Sequence, residues 1–160
     1  MSYQQQPQQT QPYGAQAGEP PLWAPYYGAP IGAAIQRFFK KYTAFTGRAS
    51  RSEYWWWTLV AAIVGIVLNI LLTTGISVDP TTGTPVLGAG YFIGLILAIV
   101  WGLATIVPSI ALTVRRLHDG NFSGLLVLLV LVPFLGALAV LVLTLLPSNP
   151  AGQRFDVPTA

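Results

Sequence analysis

The sequence contains no cysteine. That excludes disulfides, thiolate metal sites, cysteine nucleophiles and palmitoylation. It has one histidine, His118, too few for a multi-histidine metal centre within the chain. Charge is scarce: 8% of residues are charged, against roughly 25% in soluble domains. A soluble fold of this size needs more charge to cover its surface, so lipid is the expected main solvent. The first forty-odd residues are polar or broken by proline, without the early apolar stretch of a signal peptide, and the first apolar run is expected to act as an uncleaved span. No phosphate-cradling glycine loop and no domain-scale basic face for nucleic acid is visible.

What the chain has instead is apolar length. Residues 54–73, 91–114 and 125–146 are long enough to cross a hydrocarbon core of ~30 Å. The expected fold is an all-α membrane protein: three transmembrane helices preceded by a short amphipathic interfacial helix. Residues 1–30 read as a disordered Gln/Pro-rich tail, since Gln4–Gln6, Gln8, Gln9 and Gln11 bury little apolar area to offset ordering. Within it, Pro20–Tyr27 is aromatic enough to rest at the membrane interface or to dock on the protein, or it is an extended linker.

Residues 31–46 read as an amphipathic basic helix. Ile31, Ile35, Phe38 and Tyr42 share one face, and Gln36, Arg37, Lys40 and Lys41 the other. The apolar face suits an anionic leaflet or the transmembrane helices. Residues 47–147 form the membrane domain. Ser50-Arg51-Ser52-Glu53 has the form of a capping box opening span one, and Tyr54-Trp55-Trp56-Trp57 suits the headgroup boundary. Residues 74–90 are a loop with turn chemistry at Asp79-Pro80 and Thr82–Pro85. A proline in a membrane helix is commonly accommodated as a kink, so the third run is expected to cross once, kinked at Pro133; the alternative is a re-entrant hairpin broken there. Residues 148–160 are a polar tail.

Cations alternate along the chain. Arg37, Lys40, Lys41, Arg48 and Arg51 precede span one, none follows it, Arg115 and Arg116 follow span two, and Arg154 follows span three. The positive-inside rule then places the N-terminus in the cytoplasm and the C-terminus outside, so a reporter after Ala160 is expected to read extracytoplasmic. Span one carries Ala61, Gly65 and Asn69 at four-residue spacing, and span two carries Gly94, Ala98 and Gly102. The two stripes are expected to face each other unless the spacing is coincidental, with Asn69 bonding across the seam.

The densest polar cluster is Arg115, Arg116, His118 and Asp119. It reads as a cytoplasmic-face site for an anionic lipid headgroup or a partner's acidic segment. The same residues also suit a purely structural boundary: arginines at a helix C-terminus, a turn at Asp119-Gly120, and a cap from Asn121 or Ser123. Glu53 is the nearest other acid, open to an ion pair with Arg115 or Arg116, to the capping box, or to both. No ionisable residue lies well inside a span. Catalysis and ion-coupled transport by one chain are therefore not expected, and neither a cofactor nor a metal is implied.

Gly47-Arg48-Ala49-Ser50-Arg51-Ser52-Glu53-Tyr54-Trp55-Trp56, Arg115-Arg116-Leu117-His118-Asp119 and Ser123-Gly124 resemble the domain of unknown function 805 family, small bacterial inner-membrane proteins. The proline in the third run and Gln153-Arg154-Phe155 also look like that family, and the resemblance spans roughly 35–156. Phe122 stands where many relatives have a basic residue, and Gln153 where asparagine is usual. The glutamine-rich extension looks like the tails of actinobacterial membrane proteins. The resemblance implies a bacterial cell-membrane location and no activity. The expected function is a non-enzymatic module binding membrane lipids or another membrane protein; the alternative is a subunit of an oligomeric channel or transporter.

Overall fold

The computed structural model describes residues 19–156, so the glutamine-rich stretch 1–18 lies outside them. Two long helices dominate. Helix α2, Arg51–Thr74, opens with the expected capping box: the Ser50 hydroxyl accepts from the Glu53 amide at 3.1 Å, and Glu53 accepts from the Ser50 amide at 2.9 Å. Its 24 residues reach ~36 Å. Helix α3, Ala89–Asp119, has 31 residues and runs through Pro108. It ends five residues beyond the expected boundary, so Arg115 and Arg116 belong to its last turns.

Between them, Ile76–Val78 (β1) and Pro85–Leu87 (β2) pair antiparallel, with Ser77 opposite Val86. The expected loop is therefore a short hairpin, and the other regular elements among the described residues are helices. The Asp79 carboxylate organises the turn by accepting from the Thr81 and Thr82 amides. Gly75 permits the closest approach at this end, where a Cβ would stand 2.0 Å from the Tyr91 amide nitrogen.

Two expectations need correction here. Residues 19–30 are ordered against the protein rather than forming a free tail: Tyr26 and Ala29 donate backbone N–H groups to Glu53 and Ser52. Helix α1, Ile31–Lys40, is rotated from the expected orientation, keeping part of the expected apolar face inward. Phe38 is buried as expected and Ile35 and Tyr42 are half-buried, but Ala34, Arg37 and Lys41 are buried too, while Ile31, Gln36 and Lys40 are exposed. The buried Glu53 carboxylate draws Arg37 inward. Phe38 stacks on Trp57 at 3.4 Å between ring centroids, and Trp57 on Trp101 at 5.9 Å, so aromatic rings join α1, α2 and α3.

The third apolar run is not one kinked helix. A 3-10 helix, Gly124–Leu131, is followed by a bend at Val132-Pro133-Phe134 and helix α4, Leu135–Leu145. Phe134 adopts φ 60°, a left-handed conformation rare for an aromatic residue. Gly136 lets the two limbs meet, since a Cβ there would stand 1.6 Å from the Leu129 carbonyl oxygen. The run begins and ends beside the last turn of α3. Gly124 lies against Val114 and His118, and the Thr144 carbonyl accepts from Arg116 Nε at 3.0 Å. Each limb is ~16 Å long, about half of a hydrocarbon core. Among the described residues two helices, α2 and α3, are long and apolar enough to cross a membrane, where three were expected.

The tail returns to the basic end as well: Gly47 donates its N–H to the Phe155 carbonyl at 3.0 Å. Every lysine, arginine, aspartate and glutamate except Asp79 lies at that end. The C-terminal segment therefore sits beside the basic N-terminal flank, whereas the charge pattern alone places the two ends on opposite sides of the membrane. A hairpin brings the chain back; a crossing does not.

Candidate functional site

The basic end is built around two buried carboxylates. Glu53 is placed by the first turn of α2 and is 3% exposed. One oxygen accepts from Arg37 Nε at 2.7 Å, and the other from the Ser50 and Tyr26 amides at 2.9 and 3.1 Å. Arg37 carries the interaction outward. Its terminal nitrogens donate to the carbonyls of Pro20, Pro21, Leu22 and Ala24 and reach Glu19 at 3.4 Å. One guanidinium thus fastens the 19–24 segment to α1 and α2, a use suited to a planar fork of five donors. The ion pair expected between Glu53 and Arg115 or Arg116 is replaced by this one, because α1 turns Arg37 inward.

Asp119 is the second centre and is fully buried. Its Oδ2 accepts from Arg116 at 2.6 Å and from the Ser148 hydroxyl at 2.5 Å; its Oδ1 accepts from the Tyr27 hydroxyl at 2.6 Å and lies 3.6 Å from Arg48. Arg116 also donates to the carbonyls of Thr144 and Leu146 at the end of α4. Arg48 holds Asp156 with two bonds, at 2.9 and 2.7 Å. Four parts of the chain meet here: the 19–30 segment, the α1–α2 connection, the end of α3 and the C-terminal tail. Arg116 is therefore directed at the chain itself, not at an external phosphate.

His118 accompanies this cluster. Its Nδ1 lies 3.1 Å from the Gly47 carbonyl, and its ring stacks on Phe155 at 4.0 Å. Arg115 donates to the carbonyls of Lys41 and Ala44, both at 3.0 Å, while its own carbonyl accepts from Ala49. Lys41 Nζ and Arg115 Nε are buried without a hydrogen-bond partner among the described residues. Burial lowers the Lys41 ammonium to a pKa of about 8, with Glu53 opposing the shift and Arg37 and Arg115 adding to it.

The sign of the pH effect follows. Between pH 8 and 10.5 the unfolded chain holds the Lys41 proton and the folded chain releases it, so stability rises with pH in that window. Thermal unfolding in a neutral detergent is expected to show a gain of up to roughly 3 kcal/mol between those limits, and Lys41→Met is expected to flatten the rise. Equal slopes in both proteins would contradict the buried, unpaired placement of Lys41.

The expected small-residue seam is partly displaced. Gly94 is buried against α2, where a Cβ would lie 3.2 Å from the Leu72 amide nitrogen, and Ala61 and Ala98 are half-buried. Gly65, Asn69 and Gly102 are exposed. The inward line on α2 runs from buried Trp57 through half-buried Ala61, Val64, Leu68 and Leu71, alternating steps of four and three. A strict four-residue stripe drifts around the helix and leaves it.

Beside this network lies an apolar groove of about 440 Å³. Tyr54 of α2, Ile110 and Thr113 of α3, and the facing limbs of the 124–145 hairpin form its walls. Sequence reasoning found neither the groove nor the roles of Arg37, Arg48, Tyr26 and Tyr27. The one sequence signal for Arg37 was the alternative helical face, with Ala34 and Phe38 at the spacing that brings Arg37 and Lys41 inward.

Comparison with known proteins agrees with a membrane location. The family described as "Protein of unknown function (DUF805)" matches residues 42–157. "Inner membrane protein YhaI" of Escherichia coli (strain K12) is 37% identical over 117 residues, covering 72% of this chain and 86% of that protein. "Inner membrane protein YhaH" of the same organism is 34% identical over 119 residues, covering 74% and 89%. No solved structure matches the chain.

Proposed function

The chain belongs to the DUF805 family, and from that premise we propose that it is a non-enzymatic lipid-binding module of the bacterial inner membrane. In this reading α2 and α3 cross the bilayer, the 124–145 hairpin enters and leaves on the cytoplasmic side, and both chain ends are cytoplasmic. The observation that carries it is the apolar groove between the hairpin and the two spans. The arrangement of charge supports the orientation: all eight lysines and arginines, Arg154 included, collect at one end, as the positive-inside rule favours. The buried carboxylates serve cohesion in this reading, because their oxygens accept from the chain's own arginines, hydroxyls and amides.

Asn69 supports a second reading, an oligomeric assembly that includes a channel or transporter subunit. Its side chain stands exposed in an apolar span, near Gly65 on the outer surface, where a second copy would give the amide a partner. Native mass spectrometry after mild-detergent extraction separates the two. Retained phospholipid on a monomer is the expected result. A lipid-free chain of fixed higher stoichiometry would favour assembly and overturn the lipid reading.

A further inference from the structure

The groove has a direction. Tyr54, one turn into α2, borders its basic end; Val130, Leu131 and Ala137 border the end near the hairpin bend. Its walls are almost wholly aliphatic, and its volume falls within the ~300–1,000 Å³ of small-molecule sites. The bend keeps it open by holding the two limbs at their own spacing, joined through Gly136 and Leu129. A headgroup entering beside Tyr54 meets Arg51, three residues earlier and so on the same face of the helix. Arg51 is exposed and forms no hydrogen bond or ion pair among the described residues. It lies within electrostatic reach of Arg116, whose donors are directed inward, so the mouth of the groove is positive and Arg51 supplies the donors that remain available.

We infer that the groove receives one acyl chain of an anionic glycerophospholipid, with its phosphate bound by Arg51 at the mouth. This rests on the lipid-binding reading above and adds the site, the ligand class and the orientation. Apolar walls leading to a free guanidinium match a ligand with a hydrocarbon tail and a phosphate at one end. The guanidinium offers the phosphate two parallel N–H donors, and the tail keeps the contact at membrane depth.

The test uses the full chain in nanodiscs of phosphatidylglycerol or of phosphatidylcholine with identical acyl chains, with retained lipid counted by native mass spectrometry after release into mild detergent. The wild type is expected to retain one phosphatidylglycerol in preference to phosphatidylcholine. Arg51→Gln is expected to lower phosphatidylglycerol retention about fivefold and to leave phosphatidylcholine unchanged. Ala137→Phe, at an exposed groove position, fills the slot and is expected to abolish retention of both. Lys40→Gln, an exposed cation on α1, is the control and is expected to behave as wild type. Arg51→Gln alters only an exposed side chain, so it keeps the test decisive should Ala137→Phe misfold. Unchanged preference in Arg51→Gln overturns the inference, as does a homodimer that Ala137→Phe dissociates, which would identify a second copy as the occupant. If all variants retain lipid equally, the site is wrong while the lipid-binding reading stands; if the wild type retains none, that reading fails as well.

Discussion

Asp119→Ala is expected to lower the unfolding free energy by about 3–5 kcal/mol, the scale of removing one partner from a buried ion pair. The carboxylate is fully buried and accepts from Arg116, Tyr27 and Ser148. Its loss leaves the Arg116 charge in a low-dielectric site and removes the carboxylate that the Ser148 and Tyr27 hydroxyls donate to. The cost is concentrated because four chain segments share this one side chain. Asp119→Asn keeps the shape and removes the charge, and is expected to recover only part of the loss. Denaturant or thermal unfolding in mild detergent measures both. A change below about 1 kcal/mol for Asp119→Ala, the value of an exposed pair, would contradict the assignment of Asp119 as a buried centre.

The second large effect belongs to Glu53. Glu53→Gln retains one acceptor oxygen but removes the charge opposite Arg37, and a loss of about 3 kcal/mol is expected. The sharper measurement is a double-mutant cycle. Glu53→Gln and Arg37→Met are expected to couple by about 2 kcal/mol, while Glu53→Gln and Arg116→Met, whose side chains have separate partners, are expected to be nearly additive. Arg37→Met also releases the carbonyls of Pro20 to Ala24, so protease cleavage within residues 19–30 should accelerate. Strong coupling of Glu53 to Arg116 with none to Arg37 would refute the observed pairing.

These two carboxylates mark where the sequence was informative and where it was not. The Ser50–Glu53 box was legible because its bonds are local and its spacing fixed. The two long spans were legible because composition alone distinguishes a lipid solvent from water. The inward turn of Arg37 is not legible because periodicity places it beside Phe38 without saying how far the helix rotates about that side chain. The partner that settles it, Glu53, is 16 residues away. Docking of Pro20–Tyr27 is one of the readings the aromatics allow, and the sequence does not decide it: a guanidinium that binds backbone carbonyls leaves no side-chain pattern to read. In the third run, a Leu- and Val-rich stretch has the same composition whether it crosses or folds back. Only Pro133 and Arg154 signalled the difference, and the left-handed conformation at Phe134 with the close approach at Gly136 is what realises it. Gly94 lies against α2 while Gly65 and Gly102 are exposed; spacing alone does not separate them, since small residues also occur on the outer face.

In the proposed topology the third apolar run returns to the side from which it started, with the C-terminal segment beside the basic flank. The absence of native cysteine makes the direct test simple: single cysteines placed by Gln153→Cys and Thr82→Cys, both exposed positions, are treated in intact cells with a membrane-impermeant maleimide. The cysteine at position 82 is expected to be labelled, and the cysteine at 153 only after the inner membrane is opened. Labelling at position 153 in intact cells would place the tail outside, restore a third crossing and contradict the proposed topology.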